Sequence, residues 1–202
     1  MPVNPHKEEL DQLRAAVGQM SHLDDKQWQQ FAALFSIRLV SAQTHLLLPG
    51  DKIYELLFVT GGLLRFYYVD GEGDEANKAF IAENTFAGPL ASSMLDLPVI
   101  YGVQALEETR LLVCDYRAFV ALFEHDPVFE RLGRKFAEQL LMRKELRMRS
   151  MLQQNARERY LDFVAQHPDL VQRIPQYHIA SYLGITEVSL SRLRRSILET
   201  TS

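Results

Sequence analysis

The sequence predicts an α+β fold, in which an antiparallel β-sandwich or roll with flanking helices precedes a long helix and a small all-α domain. Short β-rich runs separated by turns fill residues 37–115, and no proline interrupts the chain between Pro127 and Pro168, which leaves room for a long helix to about Gln154. Two helical patterns around a three-residue turn then lie between Pro175 and Ile197. A chain of 202 residues with 47% hydrophobic content can form one good core and leave room for a small second domain.

The β-rich part begins after two helical patterns, KEELDQLRAAVGQ and DDKQWQQFAALF. Its runs are LLLPGDK, LLFVTGGLLRFYYVDGEGD, KAFIAENTFAG and VIYGVQALEETRLLVCD, and glycines fall between them. Short strands that are punctuated by turns at this density predict an antiparallel sandwich or roll.

Helix is predicted again after Asp115, which can cap the pattern YRAFVALFEH. Asp126 and Pro127 then start a long helix, because aspartate accepts hydrogen bonds from free backbone N–H groups and proline is tolerated in the first turn. This helix, from Asp126 to about Gln154, carries two apolar stripes: Phe129, Leu132, Phe136 and Leu140, and Ala137, Leu141, Met148 and Leu152. We expect one stripe to pack on the sheets and the other on the same helix of a second subunit. The alternative is a helix that its own chain surrounds.

Charge is distributed unevenly along the chain. The net charge is −4, which argues against a protein that binds polyanions over its whole surface. Residues 1–125 carry 9 basic and 17 acidic side chains, whereas residues 126–202 carry 13 basic and 9 acidic ones. The acidic N-terminal part and the basic C-terminal part predict two domains with different partners.

The segment PQYHIASYLGITEVSLSRLRRSI, after a helical pattern NARERYLDFVAQ that ends before Pro168, fits a helix-turn-helix. Counted from Gln176, this motif needs a small residue at position five, supplied by Ala180, and glycine at position nine, supplied by Gly184. The apolar positions that join its helices are also filled, by Ile179, Leu183, Ile185, Leu190 and Leu193. The remaining residues of the second helix are candidates for DNA binding: Thr186, Glu187, Val188, Ser189, Ser191, Arg192 and Arg195. A hairpin of helices used only for packing is the alternative, but arginine suits guanine edges and phosphates.

The order of these parts resembles the Crp/Fnr family of bacterial transcription regulators. The resemblance is carried by PGDKIYELLFVTGGLLRFYY and by RYLDFVAQHPDLVQRIPQYHIASYLGITEVSLSRLRR. It implies a jelly-roll-like β-roll of the cyclic-nucleotide-binding type over residues 1–125, a dimerisation helix over 126–155 and a helix-turn-helix domain over 156–202. It also implies a homodimer on double-stranded DNA, with an inverted repeat as the favoured site.

One departure from the family lies in the ligand cassette. Members that bind cyclic AMP carry Gly-Glu and, ten residues after the Glu, Arg followed by Ser or Thr, whereas this chain has Gly88-Pro89 and Val99-Ile100. The corresponding degenerate pocket consists of Gly88, Pro89, Ser92, Val99, Ile100 and Tyr101. A cyclic phosphate buried there would lack its charge partner, so we expect an unknown apolar or aromatic small-molecule effector, or none.

A second departure lies after the helix-turn-helix. Many members continue into a two-stranded wing that touches DNA phosphates, whereas this sequence ends seven residues after Arg195, so we expect the wing to be missing. Where the best-known members begin the second helix with Arg-Glu, this chain has Glu187-Val188, while Arg192 keeps a family arginine position. The target sequence therefore differs from the well-known palindrome.

Other chemistry finds little support in the sequence. The single cysteine, Cys114, excludes an internal disulfide and is expected to be a buried, inert thiol. The stretch DGEGDE, from Asp70 to Glu75, resembles a calcium loop but lies where a hairpin turn is expected, so we predict no metal site. No catalytic arrangement appears, and we expect neither an enzyme nor a cofactor.

The start MPVNPHKEEL lacks the pattern of a secretion signal and no run is long enough to cross a membrane, so we expect a cytoplasmic location.

Two functions remain for the chain. We expect a homodimeric, sequence-specific DNA-binding regulator of the Crp/Fnr type whose effector is not a cyclic nucleotide. The alternative is a sensor module that binds a small molecule or a protein and has lost useful DNA binding.

Overall fold

The computed structural model describes residues 7–201, with the backbone alone for residues 200 and 201. The prediction about a secretion signal concerns residues 1–6 in part, and these lie outside the described residues. The helices are α1 Lys7–Gly18, α2 Asp25–Ala32, α3 Leu90–Leu95, α4 Tyr116–Ala121, α5 Pro127–Gln153, α6 Ala156–Gln166, α7 Leu170–Arg173, α8 Gln176–Leu183 and α9 Glu187–Thr201. The strands are β1 Ser36–Val40, β2 His45–Leu47, β3 Glu55–Gly61, β4 Leu64–Val69, β5 Glu75–Ile81, β6 Thr85–Ala87, β7 Gly102–Ala105 and β8 Thr109–Asp115.

The strands form two four-stranded sheets, with the orders β1-β8-β3-β6 and β2-β7-β4-β5. Strand β8 pairs antiparallel with both β1 and β3, and β3 continues antiparallel to β6. Two sheets of this order, with helices before and after them, confirm the predicted α+β roll. Within residues 7–201, no helix is both long enough and apolar enough to cross a membrane.

The chain divides into two compact units, residues 7–66 with 80–139 and residues 67–79 with 140–201. The core of the first unit lies between one sheet and the helices. Strands β3 and β8 direct alternate side chains, among them Leu56, Phe58 and Leu112, into a cluster with α1, α2, α4 and the first half of α5. On α5 the buried side chains are Val128, Phe129, Leu132 and Phe136. The ring of Phe136 lies 4.3 Å from that of Phe86 on β6. Phe129, Leu132 and Phe136 of the predicted first stripe thus pack in this core, whereas Leu140 is half-buried and belongs to the second unit.

Local sequence signals explain where the helices of the first unit start. Asp126 caps α5, because its carboxylate accepts the N–H of Val128 at 2.9 Å. Asp115 caps α4 in the same way through the N–H of Arg117 at 2.8 Å. Both starts agree with the prediction from the sequence.

The second unit combines four helices, the last part of α5 and the hairpin between β4 and β5. Its core holds side chains from α6, α7, α8 and α9: Tyr160, Phe163, Leu170, Ile179, Leu183 and Leu190. The hairpin turns at the predicted DGEGDE stretch, where the Asp70 carboxylate accepts the N–H groups of Glu72 and Asp74, each at 2.9 Å. This carboxylate therefore shapes a turn, as an Asx turn does.

The second helix of the motif extends past Ile197, where the predicted pattern ends. Helix α9 continues through 15 residues to Thr201. Ile197 is half-buried and follows Leu190 and Leu193 on one side of the helix, so the apolar stripe that stabilises α9 extends past the arginines.

Candidate nucleic-acid interface

The turn between α8 and α9 depends on Gly184. Its φ is 68°, in the left-handed region, and its N–H bonds to the carbonyls of Ala180 and Ser181 at the end of α8. The N–H of Ile185 also reaches the Ala180 carbonyl, at 3.1 Å. Glycine adopts this conformation at little cost, so its position fixes the angle at which the chain leaves α8.

Helix α9 starts with a side-chain cap from Thr186. The Thr186 hydroxyl oxygen accepts the N–H of Ser189 at 3.1 Å and lies 2.9 Å from the Ser189 hydroxyl. The predicted cap is therefore present. The two hydroxyls bond to each other, so the charged and apolar side chains of the helix remain as its main groups for contact with a partner.

The seven predicted DNA-binding residues are all exposed, whereas Leu190 is buried and Leu193 is half-buried. Successive helix residues are rotated by about 100°, so residues four and seven positions apart share a face. Val188, Arg192 and Arg195 therefore form one outward stripe on the side opposite Leu190. Glu187 lies about 100° around the helix from Val188, at the flank of this stripe.

Arginines that were not among the predicted site residues hold the motif together. Arg194 donates to the side-chain oxygen of Gln176 and so joins α9 to the start of α8. Arg159 on α6 donates to the carbonyl of Leu183 at 3.0 Å, and Arg147 on α5 donates to the carbonyl of Tyr182. The last carbonyls of a helix have no partner within the helix, and they carry partial negative charge that favours cations.

Arg147 is also stacked on an aromatic ring. Its guanidinium lies 3.8 Å from the centre of the Tyr182 ring, and burial lowers the pKa of this arginine from its ordinary value. The contact fixes the end of α5 on the C-terminal end of α8.

The β4–β5 hairpin contacts α8 through a set of hydrogen bonds. The side-chain amide of Asn77 donates to the His178 carbonyl at 3.1 Å and lies 3.0 Å from Nδ1 of His178. The Ser181 hydroxyl accepts the N–H of Asn77 at 2.9 Å and donates to the Glu75 carbonyl at 3.3 Å. An amide nitrogen only donates, so Nδ1 of His178 acts as the acceptor.

The residues of the predicted effector pocket lie along the segment from β6 to β7 in the first unit. Gly88 has a φ of 144°, and a Cβ atom there would lie 2.4 Å from the carbonyl oxygen of Glu55. The Tyr101 hydroxyl donates to the Gly88 carbonyl at 3.3 Å. The position therefore demands glycine for reasons of backbone packing alone.

The side chains of Val99 and Ile100, the last apolar pair of the predicted pocket, point in two directions. Val99 is buried, with its N–H on the carbonyl of Asp51 at 2.8 Å, whereas Ile100 is 69% exposed. Pro89 is buried and precedes α3, and its side chain makes no capping hydrogen bond to that helix. The Ser92 hydroxyl donates to the Pro98 carbonyl at 3.4 Å. Side-chain charge is absent from the six pocket residues, so the segment brings no counter-ion to an anionic ligand.

Comparison with known proteins gives likeness at the level of structure. No protein-family model and no curated protein matches the sequence. The solved structure of FixK2 from Bradyrhizobium japonicum has a TM-score of 0.71 at 16% identity, over 83% of this chain and 86% of that one. The c-di-GMP responsive global regulator CLP from Xanthomonas campestris has a TM-score of 0.70 at 14% identity, over 88% and 93%.

A third similar structure is a putative transcriptional regulator of the Crp/Fnr family from Eubacterium rectale, with a TM-score of 0.69 at 15% identity, over 88% and 85%. At these identities the likeness establishes the fold alone. The chain has the cyclic-nucleotide-binding-like fold of Crp/Fnr regulators.

Proposed function

We propose that the chain is a homodimeric, sequence-specific DNA-binding transcription regulator of the Crp/Fnr type, with no catalytic activity. The observation that carries the proposal is the outward stripe of Val188, Arg192 and Arg195 on a helix whose start and inner face are fixed by its surroundings. A helix fixed in this way fits the major groove, where side chains of its outer face meet base edges.

The two exposed arginines of the stripe have different roles in this proposal. Arg192 lies one and a half turns into α9, where a guanidinium can reach both O6 and N7 of guanine. Arg195 lies one turn further from the start of the helix and meets a phosphate. Base contacts select sequence, whereas phosphate contacts strengthen binding to every duplex alike.

Selection of bound fragments from the source genome tests DNA binding and identifies the site. A regulator enriches a defined sequence and loses affinity steeply as salt rises, because phosphate contacts release counterions. The alternative sensor module would enrich nothing, and its retention of DNA would not depend on sequence. That outcome would overturn the proposal.

Substitution of the two arginines tests their roles on the selected site. Arg192→Ala is expected to weaken the selected duplex by about 1 to 3 kcal/mol and random duplex much less. Arg195→Ala should weaken binding to the selected and the random duplex alike. It should also reduce the slope of log affinity against log salt concentration by the contribution of about one phosphate contact per subunit. Arg131→Ala, at an exposed position in the first half of α5, serves as a control that should change neither.

We propose further that the second half of α5 forms the dimer interface. It exposes six large apolar side chains, each with at least 41% of its surface open: Leu141, Met142, Leu146, Met148, Met151 and Leu152. Leu141, Met148 and Leu152 lie within about 40° of one another around the helix, so they form one exposed apolar stripe. Such a stripe supports a protein contact, and a second copy of the same helix fits it in the manner of a coiled coil. The two α9 helices of a symmetric dimer would then lie about 34 Å apart, one turn of DNA, which favours an inverted repeat.

Leu141→Glu combined with Met148→Glu tests the interface. Sedimentation should show a folded monomer, because two carboxylates per subunit would face each other across the seam. Leu161→Glu, at an exposed position on α6, is the control and should remain a dimer. An unchanged dimer in the double variant would remove the assignment.

We propose that the effector, where there is one, is not a cyclic nucleotide. The degenerate pocket has Val99 where cyclic AMP binders place arginine, and a buried unpaired phosphate costs several kcal/mol. Cyclic AMP at millimolar concentration should therefore leave the melting temperature unchanged, since a ligand of the native state must raise it. A saturable upward shift would contradict this part of the proposal.

A further inference from the structure

Val188 is an apolar side chain at the most outward position of the first turn of α9. It is 60% exposed, while Ile179, Leu183 and Leu190, which join the two helices of the motif, are buried. Val188 therefore contributes nothing to the core of the second unit. Its two methyl groups are also held still, because a helix leaves valine one strongly preferred rotamer.

The helix places Val188 one turn before Arg192 on the same face. Four residues correspond to about 6 Å along the helix axis and about 40° around it. Base pairs in a duplex are about 3.4 Å apart along each strand. When Arg192 meets a guanine, Val188 consequently lies over a base pair one or two steps away.

The major groove offers only one apolar group, the C5-methyl of thymine. The other base edges present hydrogen-bond donors and acceptors, which a valine would bury without a partner at a cost in affinity. Glu187 and Ser191 flank the stripe, so neither competes with Val188 for the base pair directly beneath it.

We infer that Val188 selects thymine by contact with its C5-methyl group, within two base pairs of the guanine that Arg192 reads. This inference rests on the proposed DNA-binding function. It assigns part of each half-site: a thymine and a guanine, at most two steps apart and read from one face of one helix.

Replacement of thymine by deoxyuridine tests the inference, because it removes the methyl group and keeps the pairing. In the selected duplex, each thymine of the half-site is replaced in turn. At one position the loss should weaken binding of the unsubstituted protein about four-fold per half-site, the usual effect of one buried methyl group. In Val188→Ala the same replacement should have no effect, whereas Leu161→Ala, an exposed apolar position on α6 outside the candidate interface, should retain the four-fold loss.

The outcomes separate this inference from the function on which it rests. Failure to enrich any sequence would overturn both. Enrichment of a site in which every deoxyuridine replacement is neutral would overturn the role of Val188 and leave the regulator intact. Persistence of the methyl effect in Val188→Ala would also overturn it, since another residue would then read the thymine.

Discussion

The segment from Gly88 to Tyr101 and the helix-turn-helix from Gln176 to Arg195 resemble the Crp/Fnr pattern to different degrees. The helix-turn-helix keeps both the residues that shape its backbone and a charged outer face. The roll segment keeps a glycine that its backbone requires, but it has buried Val99 at the position where the resemblance predicts an arginine in cyclic AMP binders. The difference shows that backbone geometry and ligand chemistry are separable, because Gly88 is required by Glu55 with or without a ligand.

The glycines of the two regions offer the largest test of this difference. Gly88→Ala should lower the free energy of unfolding by about 3 kcal/mol or more, since it forces a Cβ against a backbone oxygen as well as an unfavourable φ. Gly184→Ala should cost about 1 to 2 kcal/mol, because the nearest atom to its Cβ is the flexible end of Met151 and the left-handed region is only mildly unfavourable.

Urea unfolding measures both variants, with the fluorescence of Trp28 reporting on the first unit and circular dichroism on the helices. Trp28 packs against the core of the first unit, so its signal follows that unit. Equal losses for the two variants would contradict the distinction between a backbone clash and a permissive turn.

The pH dependence of stability should also separate the two units, first on the alkaline side. Burial raises the pKa of the Cys114 thiol to about 12, from 9.0. The unfolded chain therefore loses the thiol proton at a lower pH than the folded one, and the first unit loses stability as pH rises from about 9 to about 12. The slope is at most about 1.4 kcal/mol per pH unit, and Cys114→Ala should remove it from the unfolding curves that are followed by Trp28 fluorescence.

The smallest expected effect lies on the acid side, in the second unit. Half-burial lowers the pKa of His167, whose ring lies 5.5 Å from that of Phe163. The folded state favours the neutral ring, so its contribution to stability is present above the ordinary histidine pKa near 6.5 and is lost as pH falls below it. In His167→Gln the melting temperature should fall less steeply as pH is lowered below about 6.5. A steeper fall in this variant would contradict the prediction.

Local signals made much of the fold predictable. The long helix was expected from Asp126 to about Gln154 and extends from Pro127 to Gln153, because its cap and its uninterrupted apolar stripes are visible in the sequence. The turn at Gly184 and the cap at Thr186 follow from residue types whose conformational needs are specific. Helices α3 and α7 went unnoticed, since six and four residues are too few to show a period.

Hydrogen bonds between residues far apart in the chain could not be predicted from the sequence. The bonds of Asn77 to His178 and of Arg159 to Leu183 involve residues that differ from their neighbours in no visible way. The carbonyls at the end of α8 call for a donor, but several arginines could supply it. On the candidate site, the exposure of all seven residues followed from the helical period, whereas the mutual engagement of Thr186 and Ser189 depends on atomic distances.

The bond between Asn77 and His178 also has a consequence for synthesis of the chain, since the two residues are 101 positions apart. At 5 to 20 residues per second, the hairpin leaves the ribosome about 5 to 20 s before the helix that it will contact. During this interval the β-strands can pair with one another, but the hydrogen bonds of Asn77 and Glu75 to α8 cannot yet form. A nascent chain halted before residue 178 therefore lacks the α8 partner of this hairpin, and the second unit cannot be completed until the last part of the chain has been made.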